Sequence, residues 1–220
     1  LPLHVVADVA NGMGGLVVPA VFEHLPVRLD LMFGELDGTF PNHPADPLNP
    51  ENLVDLQKRV ELVHADIGLA FDGDADRVFL IDELGQSLSG STTTAIVARN
   101  ILENEPGSSV IHNLICSRSV PEVIEKYGGT AIRSMVGHSY IKQMMAETEA
   151  AFGGEHSGHY YFRDNYRADS GLIAALIVLQ EMSVKKIPLS QLRKECEKYP
   201  STGEINFRVK SPDLAIERIG

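Results

Sequence analysis

Three aspartates at alternate positions, Asp72, Asp74 and Asp76, are the residues of this chain best suited to bind a cation. Only one glycine and one alanine separate them, so no bulky side chain keeps the carboxylates apart. Because neighbouring carboxylates repel one another, such a group either has raised pKa values or binds a cation, and oxygen ligands in a short turn suit Mg²⁺ or Ca²⁺. Arg77 follows and adds a planar cation suited to phosphate.

Three other interpretations of this loop stay open. An EF-hand calcium loop fits the spacing of the aspartates, but its sixth position is Arg77 instead of glycine and the flanking segments are strand-like. In an aspartyl phosphatase, Asp72 would be the nucleophile and Asp74 the acid/base, which leaves Asp76 and Arg77 without a role. The third interpretation is a solvated acidic turn without function.

A second polar cluster, Glu-His-Ser-Gly-His, begins at Glu155 and is bracketed by glycines. It favours a sugar-binding loop, in which Glu155 accepts hydrogen bonds from two neighbouring hydroxyls and Ser157 orients a third. A zinc site using His156 and His159 needs a third ligand, and a plain turn is the other alternative. His159 and His138 are also candidate proton carriers by residue type.

Composition excludes several classes of protein. The 220 residues carry a formal net charge of -11, which argues against a nucleic-acid-binding surface. No apolar run is long enough to span a membrane. Cys116 and Cys196 lack the spacing of a disulfide framework or a metal motif, so we expect reduced thiols in a cytoplasmic protein. The chain starts inside an apparent strand and without Met, so we expect it to be part of something longer.

The polar clusters need a scaffold, and the hydrophobic pattern predicts one. Helical patterns alternate with apolar runs of strand length, at residues 3–8, 27–33, 67–71, 78–81, 109–114, 130–134 and 150–152. This alternation predicts an α/β fold: two consecutive α/β/α layered domains with largely parallel mixed sheets. We place the domains at 1–88 and 89–202, with 203–220 as the start of an incomplete further domain whose first strand we expect at 204–209. Ligands on such sheets bind at the carboxyl ends of strands, where both clusters fall.

Five motifs together resemble one protein family. They are Asn-Gly-Met-Gly-Gly at 11–15, Phe-Pro-Asn-His-Pro at 40–44, Asp-Gly-Asp-Ala-Asp-Arg at 72–77, Gly-His-Ser at 137–139, and the segment from Gly-Glu-His-Ser-Gly-His to Arg-Asp at 154–164. In combination they are similar to the α-D-phosphohexomutases, and among these to the bacterial phosphomannomutase/phosphoglucomutase group. Members of that family have four domains, and this chain resembles the second and third with the first strand of the fourth.

The resemblance implies a reversible phosphoryl shift between O1 and O6 of mannose or glucose through a hexose bisphosphate. Asp72, Asp74 and Asp76 would hold Mg²⁺ against a phosphoserine of the first domain, and Arg77 would lie beside the phosphoryl groups. Hexose phosphates and the N- and C-terminal domains of the same polypeptide are the implied partners. Neither nucleic acid nor a membrane is implied.

The resemblance also assigns the sugar side of the site. Glu155 and Ser157 would bind ring hydroxyls in either substrate orientation, and His159 and His138 would position the substrate or relay a proton. Relatives that carry a substrate-contacting Lys near residues 113–118 differ from this chain, in which we expect Arg118, or Arg133 from the next strand, to serve instead.

Two sequences of the family are missing from these 220 residues: the Ser-His-Asn-Pro segment around the phosphoserine and the Ser/Thr-rich phosphate loop of the fourth domain. We therefore expect this chain to be inactive as it stands. A non-catalytic phosphosugar-binding module is the alternative from another functional class.

Overall fold

The first half of the chain builds a four-stranded sheet. In the computed structural model, which describes residues 2–200 and 208–219, its elements are β1 (His4–Asp8), α1 (Gly14–Phe22), β2 (Arg28–Met32), α2 (Val54–Val63), β3 (Ile67–Phe71) and β4 (Val78–Asp82). The strand order is β2-β1-β3-β4, with β1 parallel to both neighbours and β4 antiparallel to β3. All residues of β3 and β4 are buried, as their continuous apolar sequences predict.

The second half repeats this arrangement. Its elements are α3 (Gly90–Asn104), β5 (Ser109–Asn113), α4 (Ser119–Lys126), β6 (Thr130–Ser134), α5 (His138–Thr148), β7 (Phe152–Gly154), β8 (Tyr160–Phe162), α6 (Gly171–Lys185) and α7 (Leu189–Cys196). The strand order is β6-β5-β7-β8, and again only the last strand is antiparallel. The sheets place the turn after β3 and the turn after β7 at equivalent positions.

The predicted fold class is confirmed, with differences in single elements. The sequence analysis missed β8, and β7 begins at the last residue of the strand predicted at 150–152. The predicted strand of a further domain falls mostly on residues 201–207, which lie outside the described residues. A last helix, α8 (Pro212–Ile219), follows that segment.

Helix α3 joins the two halves into one core. The side chain of Ser89 caps its first turn by accepting a hydrogen bond from the backbone N–H of Thr92. Most of the helix is buried, and it contacts β4 as well as β7, α4, α6 and α7. One hydrophobic cluster therefore contains residues of both sheets, such as Leu69 and Phe152. The boundary between 1–88 and 89–202 stays a prediction.

Both cysteines are free thiols, Cys196 buried and Cys116 partly buried. Burial raises the pKa of each thiol to about 11, so both stay protonated at neutral pH and are poor nucleophiles. As for the membrane, none of the helices in residues 2–200 and 208–219 is both long and apolar enough to cross one.

Candidate active site

The turn between β3 and β4 brings the three aspartates together. Each of Asp72, Asp74 and Asp76 offers a carboxylate oxygen, and these oxygens lie within 4.8 Å of one another. Asp72 is buried, Asp76 is half-buried and Asp74 is exposed, so the group opens to solvent on one side. We name this turn, residues 72–77, the acidic loop.

Charge in the acidic loop is only partly compensated by the protein. Arg77 donates from Nε to Asp72 Oδ2 at 2.6 Å and from its backbone N–H to Asp72 Oδ1 at 3.2 Å. Burial, with the neighbouring Asp72 and Asp74 carboxylates, raises the pKa of Asp76 to about 6. An oxygen-only donor set with uncompensated negative charge fits a hard divalent cation such as Mg²⁺. The flanking strands β3 and β4 argue against an EF-hand, in which helices flank the loop.

The turn between β7 and β8 holds Glu155 in a polar pocket of the protein. Its Oε1 accepts hydrogen bonds from Asn113 Nδ2 at 3.2 Å and from the backbone N–H of Gly137 at 3.1 Å, and its Oε2 accepts one from the Tyr161 hydroxyl at 2.8 Å. Glu155 is only 2% exposed. Burial and the Glu155 carboxylate raise the pKa of Tyr161, so the phenol stays a donor. Residues 154–159 are called the glutamate loop below.

His159 connects the two loops. Its Nδ1 lies 2.9 Å from Ser157 Oγ and 3.8 Å from Glu155 Oε2, and its Nε2 lies 3.8 Å from Asp76 Oδ1. The backbones of His159 and Arg77 also form an antiparallel bridge. The acidic loop and the glutamate loop are therefore neighbours, although 77 and 154 are far apart in sequence.

Two further residues, Asp169 and Lys142, belong to this neighbourhood and were missed by the sequence analysis. Asp169 has a carboxylate oxygen within 4.8 Å of ligand atoms of Asp76 and His159, and Lys142 Nζ lies 2.9 Å from Asp169 Oδ1. Asp169 reaches the site because it forms a bridge with Tyr161 of β8, the strand that was not predicted. The helical pattern after residue 168 had suggested core packing only.

The other candidate residues are exposed side chains of the second half of the chain. His138 is the exposed first residue of α5, next to Gly137, whose N–H binds Glu155. The exposed Arg118 lies beyond β5 with its guanidinium carbon 5.7 Å from the ring centroid of Tyr199. The exposed Arg133 donates to the carbonyl of Leu114, which follows β5, at 3.3 Å. Both arginines are thus bound to other groups near the end of β5.

The zinc interpretation gains no support. The Nδ1 atom of His156 lies 2.9 Å from Ser91 Oγ, and its neighbour in the motif, His159, faces Ser157. Among residues 2–200 and 208–219, the groups of three potential metal ligands include His159 but not His156.

Both halves of the chain match domain models of one known protein family. Residues 1–85 match the family model for phosphoglucomutase/phosphomannomutase alpha/beta/alpha domain II, and residues 89–199 match the one for domain III. The fold and the site thus define a protein of the phosphohexomutase class. The chain belongs to the phosphoglucomutase/phosphomannomutase family and corresponds to its second and third domains.

Individual proteins of known family support the same assignment. A phosphomannomutase of Methanocaldococcus jannaschii is 41% identical over 215 residues, which are 98% of this chain and 48% of that protein. A phosphomannomutase of Escherichia coli is 40% identical over 224 residues, covering 99% of this chain and 49% of that protein. A crystal structure of a family member from Burkholderia thailandensis superimposes with a TM-score of 0.84 at 34% identity, over 88% of this chain and 43% of that one. The chain spans about half the length of the relatives it matches.

Proposed function

We propose that this chain forms the cation-binding and sugar-binding part of a phosphohexomutase. The whole protein would move a phosphoryl group between O1 and O6 of a mannose or glucose phosphate through a bisphosphate. The observation that supports this most is the contact of the two loops through His159, which sets a cation-binding group beside a group suited to hydroxyls.

In this proposal Asp72, Asp74 and Asp76 hold Mg²⁺, and Arg77 lies beside the phosphoryl group. The ion, when bound, neutralises charge on the transferred phosphoryl group. The side chains of the acidic loop are suited to this because the exposed Asp74 leaves one side of the group open. Arg77 has further donors beyond the Nε that binds Asp72, and a guanidinium fork suits phosphate oxygens.

Glu155 and Ser157 serve as the hydroxyl-binding groups. Three donors hold the Glu155 carboxylate in one orientation. Its Oε2 has a single hydrogen bond among the residues that the structure describes, which keeps an acceptor position for a sugar hydroxyl. Ser157 is half-buried and shares its hydroxyl with His159. We propose that His159 and His138 position the substrate and that Arg118 contacts its phosphate.

Turnover is proposed to need the rest of the polypeptide. The resemblance implies a phosphoserine donor in a Ser-His-Asn-Pro sequence, and the 220 residues contain no such sequence. We propose domains at 1–88 and 89–202, a further one starting at 203–220, and contacts of the first two with the remaining domains. A cytoplasmic location is also proposed, and cell fractionation would test it.

An assay of the full-length parent protein tests this function. We expect Mg²⁺-dependent interconversion of glucose or mannose 1- and 6-phosphates, and a Ser-His-Asn-Pro sequence upstream in the complete gene. The 220-residue chain alone is expected to show no turnover. A full-length protein that binds hexose phosphates without converting them would support the non-catalytic module instead.

The phosphatase alternative is disfavoured by the partner of Asp72. Both of its carboxylate oxygens accept hydrogen bonds from Arg77, and pairing with a guanidinium makes a carboxylate a weaker nucleophile. Release of inorganic phosphate by the 220-residue chain, lost in Asp72→Asn, would reverse this conclusion.

A further inference from the structure

Two motifs of the first half, residues 11–15 and 40–44, have no part in the proposed site, yet both lie beside Gly73 of the acidic loop. From one side, the backbone N–H of Met13 donates to the Gly73 carbonyl at 2.8 Å. Gly12 approaches so closely that a Cβ at this position would lie 2.5 Å from the same carbonyl oxygen. From the other side, a Cβ on Gly73 would be 3.5 Å from the Phe40 ring and 3.6 Å from Ala45. Gly73 is therefore bonded to the first motif, and Phe40 of the second motif lies beside it with room for a Cβ between them.

The two motifs are also joined to each other. Asn42 Nδ2 donates to Asn11 Oδ1 at 2.7 Å, and Asn11 Nδ2 donates to the carbonyl of Glu35 at 2.9 Å. Asn11 has a φ of 58°, a left-handed conformation that asparagine tolerates better than most residues. Its side chain and backbone thus fix the turn that leads to Met13.

A buried carboxylate anchors the second motif to the sheet. Asp8, 2% exposed, is the last residue of β1, the strand that pairs with β3 directly before the acidic loop. Its Oδ2 lies 3.0 Å from His43 Nε2, and its Oδ1 accepts the backbone N–H of Ala10 at 2.9 Å. The His43 ring also packs edge-on against Phe33, with 5.3 Å between ring centroids. Asp8 thereby connects both motifs to the strand beside the acidic loop.

We infer that Asp8, Asn11, Asn42 and His43 are positioning residues for the cation site. They fix the turn at Asn11, and the Met13 N–H of that turn binds the Gly73 carbonyl, so the carboxylates on either side of Gly73 are kept converged. Three carboxylates within 4.8 Å repel one another, so an unsupported loop would spread and would have to be ordered again on binding. Ligands held in place by surrounding hydrogen bonds bind metal more tightly. This inference rests on the proposed Mg²⁺ site.

The inference can be tested without an activity assay, by measuring how tightly the 220-residue chain binds Mn²⁺. The electron paramagnetic resonance signal of the free ion reports how much Mn²⁺ is unbound. Asn42→Ala and His43→Ala are each expected to weaken Mn²⁺ binding by about tenfold, the lower end of what residues that orient metal ligands contribute. His43→Gln keeps a donor for Asp8 and should restore most of the affinity.

Arg59→Met is the matched control, because Arg59 binds Asp30 of β2 in the same half and does not belong to either motif. Its Mn²⁺ affinity should equal that of the unmodified chain. Unfolding curves of every variant show whether the fold is kept. If His43→Ala does not fold, Asn42→Ala decides alone, since Asn42 is exposed.

The Mn²⁺ measurements distinguish a failure of the positioning role from a failure of the proposed cation site. Unchanged Mn²⁺ affinity in Asn42→Ala, while Asp74→Ala loses binding, would overturn the positioning role and leave the cation site intact. An unmodified chain that binds no Mn²⁺, or binds it equally well after Asp74→Ala, would refute the cation site and the inference with it.

Discussion

The acidic loop and the glutamate loop occupy the same position in two sheets of identical strand order, yet they present opposite environments. Each connects a parallel strand to an antiparallel last strand, β3 to β4 and β7 to β8. The acidic loop gathers three carboxylates that open to solvent, whereas the glutamate loop buries a single carboxylate under three donors. Under the proposed function, the same backbone connection serves a cation in one sheet and a neutral hydroxyl ligand in the other.

The two loops differ in how much of their negative charge is compensated by groups of the protein. In the acidic loop the carboxylates face one another, and the raised pKa of Asp76 reflects its burial and their repulsion. A cation relieves that repulsion. In the glutamate loop the N–H and O–H donors already compensate the Glu155 carboxylate, so that carboxylate needs no cation. Substitutions in the two loops should therefore have separable effects.

The largest effect is expected from the acidic loop. Asp74→Ala removes a proposed ligand of Mg²⁺ and should lower the mutase activity of the full-length parent by about a hundredfold or more. Because Asp74 is exposed, the free energy of unfolding should change by no more than about 0.5 kcal/mol. Steady-state kinetics with varied Mg²⁺ and urea unfolding measure the two quantities. Wild-type activity at low Mg²⁺ would contradict the assignment.

A substitution in the glutamate loop should act on the sugar instead. Glu155→Gln keeps the size of the side chain and removes its charge. It should lower kcat/KM of the full-length parent by about ten- to a hundredfold, because hydrogen bonds to a charged group contribute about 1.5–3 kcal/mol. The affinity for Mg²⁺, measured by calorimetry, should stay the same. An equal loss of Mg²⁺ affinity in this variant would show that the loops do not act separately.

Alanine substitutions of one glycine in each loop should lower the free energy of unfolding by different amounts. Gly158 has a φ of +87°, and a Cβ there would lie 2.5 Å from a ring carbon of Phe79, so Gly158→Ala should destabilise the chain by roughly 1–3 kcal/mol. Gly73→Ala meets its nearest atom at 3.5 Å and should cost less than about 1 kcal/mol. Urea unfolding of the 220-residue chain compares them. Equal stabilities would mean that Phe79 and the backbone adjust freely.

Ser157→Ala should have the smallest effect. The serine hydroxyl makes a hydrogen bond with His159 and is proposed to orient one sugar hydroxyl. Loss of one neutral hydrogen bond, about 1 kcal/mol, corresponds to an increase in KM of about fivefold with kcat nearly unchanged. A large loss of kcat in the full-length parent would instead indicate that Ser157 acts on His159 during the reaction.

The sequence predicted the parts of the fold and site that depend on neighbouring residues. Apolar runs of strand length identified β3 and β4, and the residues of the acidic loop are contiguous, so their convergence follows from local geometry. The strand β8 was missed because it has only three residues and follows directly on a polar loop.

Contacts between distant segments could not be predicted in this way. Asp169 joins the site only through its bridge to Tyr161, and Asp8 meets His43 only after the sheet has formed. The burial of Glu155 likewise depends on donors from three separate segments. Such contacts are set by tertiary packing, which hydrophobic periodicity does not encode.

The most direct test of the central claim is an anomalous-scattering map from crystals of this chain grown with Mn²⁺. A cation held by the acidic loop predicts one strong peak about 2 Å from carboxylate oxygens of Asp72, Asp74 and Asp76. A map with Mn²⁺ bound elsewhere and no peak among these three carboxylates would contradict the account.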